Sequence, residues 1–357
     1  MEKYIFVLGR DGKLSLLELI SFLEAREIKF KVEYHDNYNV VMSLDSFNFS
    51  IEELGGIIKI AKVISENEDN QEIEFELNNV DFDYGNKFKY SINGSEFLRD
   101  YFKERFKGEK VKALFKKDAT RPSDSQKLDF EIIKVKNFTG KIIEVSNPEK
   151  YKKRDEKRPK FEGKKVISIR LAKILINISK ARENILDPFC GIGTVLQESL
   201  LKNLDVYGLD IEVKDAEENL AWLKKEFKIE KKYELKKGDA KELSKYFTNV
   251  ESVVTEPFMG PFVKERYSRE DALKLKEELT SLYRDFFSEL SKIVSGRVVF
   301  ISPVFKVGKE LIKIDMFEIL RDTKFKAYNN KQIEIPVVYE VNRTRLIREI
   351  WVLESFK

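Results

Sequence analysis

The stretch Asp187-Pro188-Phe189-Cys190-Gly191-Ile192-Gly193-Thr194 decides the fold of this chain. An apolar run ends at Asp187, and helical periodicity begins again from Val195 to Lys202. Between them, two glycines let the backbone turn tightly where a ligand approaches. A second apolar run ends at Asp210, 23 positions after Asp187. This order of strand, glycine loop, helix and strand predicts a doubly wound α/β sheet that binds its ligand at the carboxyl ends of the strands.

The loop favours a nucleoside cofactor without phosphates. A phosphate-binding P-loop would end in Gly-Lys-Ser/Thr, but here Gly193 is followed by Thr194 and Val195. A dinucleotide fingerprint needs a third glycine, where this chain has Leu196. Asp210 stands where such a sheet places an acid to accept both hydroxyls of an unphosphorylated ribose. We therefore predict that this loop binds S-adenosylmethionine.

Two later motifs fall at the same edge of the predicted sheet. A Gly-Asp turn ends a short strand-like run, and Asp239 can accept a hydrogen bond from an adenine amino group. A strand of buried character then ends in Glu256, Pro257 and Phe258, where we expect the methyl acceptor. The predicted cofactor-binding residues are Asp187, Gly191, Gly193, Thr194, Asp210 and Asp239.

The last of these motifs suits methylation of an exocyclic amine on a base. Such a nitrogen is a poor nucleophile because its lone pair is delocalised, so positioning must supply most of the rate. Glu256, with the backbone carbonyl of Glu256 or Pro257, can accept the two amine hydrogens and aim the nitrogen. Phe258 offers a stacking surface worth about 1 to 3 kcal/mol per base. We therefore predict Glu256, Pro257 and Phe258 as the catalytic residues. Positioning of the two reactants supplies the rate, so the reaction requires no metal.

These motifs resemble those of the THUMP-containing tRNA guanine-N2 methyltransferases, which methylate the guanosine at tRNA position ten. The family's cofactor loop reads Asp-Pro-(Met/Phe)-Cys-Gly-Ser-Gly-Thr, and here only the serine is replaced, by Ile192. Three more segments are similar to family motifs: Tyr151-x-x-Arg154-Asp155-x-x-Arg158-Pro159, the helical residues 170–177, and Arg348-Glu349-Ile350-Trp351-Val352-Leu353. The resemblance spans most of the chain and is strongest from residue 150 onward.

The catalytic motif departs from the family pattern. The family has Asp-Pro-Pro-Tyr-Gly, whereas this chain has Glu256-Pro257-Phe258-Met259-Gly260. The extra methylene of glutamate moves its oxygens by more than about 1 Å, a displacement that can cost on the order of a hundredfold in rate. Guanine-N2 methylation of tRNA is the predicted function. Methylation of an adenine or cytosine amine, and RNA binding by a protein that has lost turnover, remain as alternatives.

Composition and size fit a cytoplasmic enzyme. With 357 residues, 42% of them hydrophobic, the chain can bury two or three cores. No apolar run approaches the roughly 18 residues of a membrane span, and the first eight residues lack a basic leader. One cysteine and one histidine exclude a disulfide framework and a zinc cluster. We expect neither a metal nor a membrane partner.

Two segments carry most of the positive charge. Residues 99–117 hold eight basic and three acidic side chains, and residues 149–165 hold nine and four, so each is +5. Because the whole chain is +4, the remainder sums to −6. Interleaved aromatic side chains favour an RNA-contacting surface, with solvated helix faces as the alternative. The predicted RNA-binding residues are Lys110, Lys112, Lys116, Lys117, Lys152, Lys153, Arg154 and Arg158.

Periodicity divides the chain into three α/β domains. Residues 1–70 predict a ferredoxin-like domain, and residues 71–147 an α/β domain with a basic helix from Ser95. After a charged linker, 148–167, strands and helices alternate over 168–357, which predicts a Rossmann-like domain with a mostly parallel sheet and an antiparallel terminal strand pair. The resemblance implies that the second domain is a THUMP domain and that tRNA is the partner. It leaves open a small accessory subunit or a monomer.

Local patterns add four expectations. Ser15, with Glu18 three residues later, predicts a capping box at the start of a helix. Apolar spacing predicts helices from Ser50 to Ile60 and near Lys309 to Leu320. The terminal strands are expected at residues 333–341 and 346–353.

Overall fold

The protein is described by a computed structural model that covers residues 1–117, 121–161, 167–261, 267–330, 332–340 and 346–356. The chain forms two compact units, residues 1–19 with 26–153, and residues 20–25 with 154–357. The change from one unit to the other after Lys153 falls inside the predicted linker, of which residues 162–166 lie outside the described residues.

The N-terminal unit is built on one eight-stranded sheet. In chain order its strands are β1 (Glu2–Leu8), β2 (Phe30–His35), β3 (Asn39–Leu44), β4 (Ile57–Ser65), β5 (Lys87–Asn93), β6 (Lys112–Phe115), β7 (Phe130–Val135) and β8 (Phe138–Val145). The helices up to the end of this unit are α1 (Gly12–Ala25), α2 (Asn70–Asn78), α3 (Glu96–Gly108), α4 (Pro122–Ser125) and α5 (Pro148–Lys157). The spatial order is β2-β3-β1-β4-β8-β7-β5-β6. Because β4 pairs with β8, the two predicted N-terminal domains share this sheet.

The predicted helix from Ser50 to Ile60 is wrong. Ser50 caps a single 3-10 turn, Ile51–Glu53, through a capping box with Glu53. The chain then passes Gly55 and Gly56 and enters β4. Paired glycines disfavour a helix, and the β-branched residues that follow favour a strand.

The predicted capping box at Ser15 is also wrong, because α1 begins three residues earlier, at Gly12. Ser15 lies in the helix, where its N–H donates to the carbonyl of Asp11. The buried Glu18 carboxylate instead accepts hydrogen bonds from the N–H groups of Gly55 and Gly56, at 2.7 and 2.6 Å. The acid therefore anchors the turn before β4.

The C-terminal unit is built on a nine-stranded, mostly parallel sheet. Its strands are β9 (Asn184–Asp187), β10 (Asp205–Asp210), β11 (Tyr233–Lys237), β12 (Ser252–Thr255), β13 (Val298–Val307), β14 (Glu310–Lys313), β15 (Phe325–Ala327), β16 (Val337–Tyr339) and β17 (Leu346–Ser355). Its helices are α6 (Ile169–Ser179), α7 (Thr194–Leu201), α8 (Lys214–Phe227), α9 (Arg269–Ile293) and α10 (Met316–Leu320). The order is β11-β10-β9-β12-β13-β17-β15, with β14 on β13 and β16 on β17.

The Rossmann-like fold is confirmed, including its antiparallel end. Strands β9 to β13 run parallel, and β17 enters antiparallel between β13 and β15. Strand β16 pairs antiparallel with β17, as the terminal strand pattern predicts; Val341, the last residue of the first predicted strand, lies outside the described residues. None of the helices in the described ranges is long and apolar enough to cross a membrane.

The predicted helix near Lys309 to Leu320 is wrong in its first half. Gly308 adopts a φ of +60°, which reverses the chain, and β14 pairs back on β13. Only α10, capped by Asp315, is helical. A tight glycine turn between two antiparallel strands therefore overrides the apolar spacing.

The sheet order places a switch point between β9 and β12. From β9 the chain moves outward through β10 and β11, and then returns to form β12 on the other side of β9. In open α/β sheets the crevice outside the carboxyl ends at such a point binds ligands. All four predicted motifs lie at this edge.

Candidate active site at the carboxyl edge of the C-terminal sheet

The glycine loop after β9 turns back over the end of β10. The N–H of Cys190 donates to the carbonyl of Leu209 at 3.0 Å, and the N–H of Gly191 donates to Asp210 Oδ2 at 2.8 Å. Gly191 and Gly193 have φ angles of +50° and +82°, in the left-handed region that favours glycine. A Cβ at Gly191 would meet no atom within 4 Å, which leaves open space beside this exposed backbone for a ligand.

Cys190 is a packing residue of this loop. Its side chain is buried, and burial, followed by the charges of Asp187 and Asp210, raises the pKa of its thiol. A neutral buried thiol is a poor nucleophile, so the loop supplies shape and backbone groups.

Asp187 lies beneath the loop and is 3% exposed. Its Oδ1 accepts hydrogen bonds from Thr255 Oγ1 at 2.7 Å and from the N–H of Phe189 at 3.2 Å. Burial raises the pKa of Asp187 to about 7, against the effect of these hydrogen bonds, and the negative charges of Asp210 and Glu256 raise it further. The three carboxylates therefore share one electrostatic environment.

The two acids predicted to hold the nucleoside differ in their contacts. Besides Gly191, Asp210 accepts from the N–H of Glu212 at 3.3 Å through Oδ1, and its side chain is part-exposed at the end of β10. Asp239 follows the neighbouring strand β11, is exposed, and caps a 3-10 helix by accepting from the N–H of Lys241 at 2.9 Å. Asp210 thus holds the glycine loop through the Gly191 N–H, whereas Asp239 stabilises the 3-10 helix that follows it.

Glu256 is the first residue after β12 and is paired with an arginine that the sequence reasoning did not assign to the site. Arg348 Nε donates to Glu256 Oε1 at 2.6 Å, and the two side chains are 17% and 13% exposed. Arg348 lies in β17, so the pair reaches across β13, which separates β12 from β17. The only sequence signal for this residue was its place in the Arg-Glu-Ile-Trp segment.

The chain after Glu256 is held from α9. Pro257 is buried, while the Phe258 ring is 53% exposed and so available as a stacking surface. The hydroxyl of the fully buried Tyr283 donates to the Phe258 carbonyl at 3.0 Å. Burial, with the charge of Glu256, raises the pKa of Tyr283 well above its ordinary value, so this hydroxyl remains a donor. No sequence motif singled out Tyr283.

The upstream arginines pack against the helix that follows the glycine loop. Arg158, 6% exposed, donates from Nη1 to Thr194 Oγ1 at 3.1 Å, and Arg154 pairs with the buried Glu198. Burial lowers the pKa of Arg158. These contacts favour a structural role for Arg154 and Arg158 over the predicted RNA contact, because neither guanidinium faces solvent freely. Lys152 and Lys153 are exposed.

The four lysines predicted to bind RNA in the N-terminal unit do not lie on the basic helix but in the turn after it and along the edge of the sheet. Lys110 follows α3 in a turn with a φ of +59°, and Lys112 opens β6, the edge strand of its sheet. With Lys87 and Lys89 of β5, Lys112 lines an open pocket of about 340 Å³ that also contains Leu114 and Asp129. Lys116 and Lys117 follow β6 and are exposed. The sequence reasoning missed Lys87 and Lys89, although their alternation with Phe88 and Tyr90 was visible.

The charge at the carboxyl edge suits a cationic ligand. Asp187, Asp210 and Glu256 contribute carboxylates, and Arg348 is the cation bonded to one of them. Within the described ranges, no group of acids, histidine or cysteine has the geometry to hold a metal ion. A ligand that carries an ammonium and a sulfonium group is attracted by these carboxylates. A phosphorylated cofactor would be repelled, because its phosphates are negatively charged. The open glycine loop and Asp210 thus fit S-adenosylmethionine.

Comparison with known proteins agrees with this geometry. Residues 156–330 match the model of the family UPF0020, described as "RMKL-like, methyltransferase domain". The tRNA (guanine(10)-N2)-dimethyltransferase of Pyrococcus abyssi is 28% identical over 176 residues, 48% of this chain and 46% of that protein. The protein of the same name from Methanothermobacter thermautotrophicus is 28% identical over 210 residues, 57% of this chain and 58% of that protein. The chain thus spans about half the length of these curated relatives.

Solved structures show the same fold along the whole chain. TrmN from Thermus thermophilus superimposes with a TM-score of 0.55 at 15% identity, over 99% of this chain and 100% of that one. A possible methylase from Clostridium difficile 630 gives a TM-score of 0.50 at 14% identity, over 100% and 98%. The predicted resemblance to tRNA guanine-N2 methyltransferases is therefore confirmed, while the THUMP assignment stays a prediction. Over residues 156–330, this chain is similar to the methyltransferase-domain model of the UPF0020 family.

Proposed function

We propose that this protein transfers a methyl group from S-adenosylmethionine to the exocyclic N2 amine of a guanosine in tRNA. One observation carries the proposal: Glu256 stands at the end of β12, in the same cluster as the acids of the glycine loop, and is followed by an exposed aromatic ring. An acceptor for the amine, a platform for the base and a cofactor loop thus meet at one edge. The names of the relatives support guanine N2 as the target.

The cofactor half of the site is assigned to the loop after β9. Gly191 and Gly193 leave room for the methionine part, Thr194 begins the helix beneath it, and Asp210 holds the ribose hydroxyls. Asp239 is proposed for the adenine amine, although it also caps its own turn. Asp187, from below, supports the loop and contributes negative charge.

The acceptor half is assigned to the segment after β12. Phe258 stacks on the base, and Glu256 accepts a hydrogen bond from the amine, which aims the nitrogen lone pair. The cofactor, when bound, supplies a methyl group on a cationic sulfur, which leaves as a neutral thioether when the methyl carbon bonds to nitrogen. Glu256 then takes the proton that the methylated nitrogen must lose and returns it to water.

RNA binding is assigned to the exposed lysines. Lys110, Lys112, Lys116 and Lys117 border the β6 edge, where the pocket with Lys87 and Lys89 provides more positive charge. Such an arrangement contacts phosphates without reading sequence. Lys152 and Lys153 are proposed to contribute in the same way, whereas Arg154 and Arg158 are not.

The proposal is tested by supplying labelled S-adenosylmethionine and a pool of unmodified tRNA transcripts, followed by mass spectrometry of the nucleosides. N2-methylguanosine is expected. As a matched substrate, a transcript with inosine at the modified position lacks the exocyclic amine and should accept no methyl. Methyladenosine or methylcytidine would instead reassign the base. No transfer, despite binding of both cofactor and tRNA, would contradict an enzyme and favour an RNA-binding protein.

A further inference from the structure

The pair between Glu256 and Arg348 explains how a glutamate can stand where the related enzymes have a shorter acid. A glutamate has one more rotatable bond than an aspartate, so its carboxylate samples more positions. Arg348 Nε removes this freedom by holding Oε1 at 2.6 Å. Among the described residues, Oε2 accepts no hydrogen bond, so it remains for another donor.

Arg348 is itself held firmly. It lies in the interior of β17, opposite Pro303 of β13 on one side and Tyr339 of β16 on the other. Its side chain is 17% exposed. A guanidinium on a strand paired on both sides gives Glu256 a fixed reference point, which a flexible surface lysine would not provide.

The surroundings of Glu256 also carry other acids. The negative charges of Glu256 and Asp210 each raise the pKa of Asp187, so each repels a negative charge on that carboxylate. The guanidinium offsets part of this repulsion next to Glu256. The charge-assisted hydrogen bond can therefore hold the acceptor carboxylate in place beside two other acids.

We propose that Arg348 is a positioning residue that fixes Glu256 so that Oε2 receives the hydrogen of the substrate amine. This inference rests on the proposed function. It assigns to the terminal strand a part in catalysis beyond sheet packing, and it makes the longer acid of this chain dependent on an arginine.

The first test compares Arg348→Gln and Arg348→Lys with the wild type in the methyl-transfer assay. The glutamine variant should lose about a hundredfold in kcat, the cost of a misplacement of about 1 Å, with little change in the KM for S-adenosylmethionine. The lysine variant, which keeps the charge but not the planar donor, should fall between the two. The matched control is Arg297→Gln, which removes a second arginine–glutamate pair, with Glu354, from the same unit. It should leave kcat per folded molecule near that of the wild type.

A double-mutant cycle separates positioning from a general loss of packing. Glu256→Asp shortens the acid, so its carboxylate no longer reaches Arg348, and removing the arginine should then cost little more. The double variant Glu256→Asp with Arg348→Gln should lose about as much kcat as Glu256→Asp alone. If the two substitutions acted through independent structural effects, the double variant would lose the sum of the two single losses, expressed as free energies of activation.

The outcomes distinguish this inference from the proposed function. An active wild type with unchanged kcat in Arg348→Gln, or with additive losses in the cycle, overturns the positioning role alone. A wild type that transfers no methyl group overturns the proposed function and the inference together. Thermal melts of each variant show whether it is folded, and Arg348→Lys keeps the test decisive if the glutamine variant does not fold.

Discussion

Two arginine–glutamate pairs lie at opposite ends of β13 and β17, and the same type of contact has a different role in each. At the carboxyl end of β12, Arg348 holds Glu256 through one hydrogen bond, beside Asp187 and Asp210. At the other end, Arg297 donates to Glu354 Oε1 from Nε at 3.0 Å and from Nη2 at 2.7 Å. It also donates to the Ile178 carbonyl and lies 4.1 Å from the centre of the Tyr328 ring.

The difference lies in what surrounds each pair. Around Arg297, the guanidinium contacts a carboxylate, a carbonyl, the Ser21 hydroxyl and an aromatic ring, all from this protein. Around Glu256, excess negative charge, one hydrogen bond from the part of the chain that the structure describes, and an exposed aromatic ring leave capacity for a ligand. An ion pair that belongs to a binding site therefore differs from a structural one in its surroundings. The hydrogen-bonding capacity that it leaves for a ligand and the charges beside it are more informative than its donor–acceptor distance.

Glu256→Gln should have the largest effect. The amide keeps the shape but loses the charge that stabilises the developing positive nitrogen, so we expect kcat to fall by about a hundred- to a thousandfold. Cofactor affinity, measured by calorimetry, should stay within about twofold. Glu354→Gln is the matched change at the opposite end, and it should leave kcat unaltered. Equal turnover in Glu256→Gln would remove Glu256 from the mechanism.

Asp187→Asn should change how stability depends on pH. The folded-state pKa of about 7 lies above the ordinary 3.8, so the folded protein keeps a proton that the unfolded chain loses between these values. Wild-type stability should therefore fall as pH rises from about 4 to 7. Without an ionisable group, the variant should gain roughly 2 to 4 kcal/mol over the wild type between pH 4 and pH 8.

Denaturant unfolding at both pH values measures this difference. Thr255→Val removes a hydrogen bond that lowers the pKa of Asp187. The pH range over which stability falls should therefore extend to higher pH in this variant. A pH-independent difference between Asp187→Asn and the wild type would show that burial does not raise the pKa of Asp187 in the folded protein.

Asp210→Ala should weaken the cofactor half of the site. The change removes the acceptor of the Gly191 N–H and the proposed acceptor of the ribose hydroxyls, so affinity for S-adenosylmethionine should fall by about 10- to 100-fold, about 1.4 to 2.7 kcal/mol. Saturating cofactor should restore most of kcat, in contrast to Glu256→Gln. If kcat stays low at saturation, the loop also positions the acceptor.

The charge reversals Lys110→Glu with Lys112→Glu should have the smallest effect. They should reduce tRNA affinity by about tenfold and flatten its dependence on salt, because fewer counterions are released. Binding titrations at two or more salt concentrations measure both quantities. Lys225→Glu with Lys228→Glu, exposed residues of α8 and its C-terminal end, makes the same change in net charge as a control. Equal losses in both variants would indicate a general charge effect.

Much of the fold could be predicted from local patterns. The glycine loop, the acids that end β9 and β10, the acid that follows β12, and the parallel sheet were all visible because each depends on residues close in sequence. The errors at residues 50–60 and 309–320 came from apolar spacing that fits both helix and strand, where glycines decided the outcome. The sequence did not show that Arg158 is buried or that Arg154 pairs with Glu198, since composition does not reveal which basic residues pack inward.

The sequence by itself determined the fold class, the place of the glycine loop proposed for the cofactor, and the identity of the acid proposed for the acceptor site. These follow from short motifs whose spacing is set by strand and helix geometry. Only the tertiary structure decided which groups meet: Thr255 with Asp187, Tyr283 with the Phe258 carbonyl, and Arg348 with Glu256, 92 residues apart. The physical reason is that strand order brings distant residues to one edge, and no local pattern encodes that order.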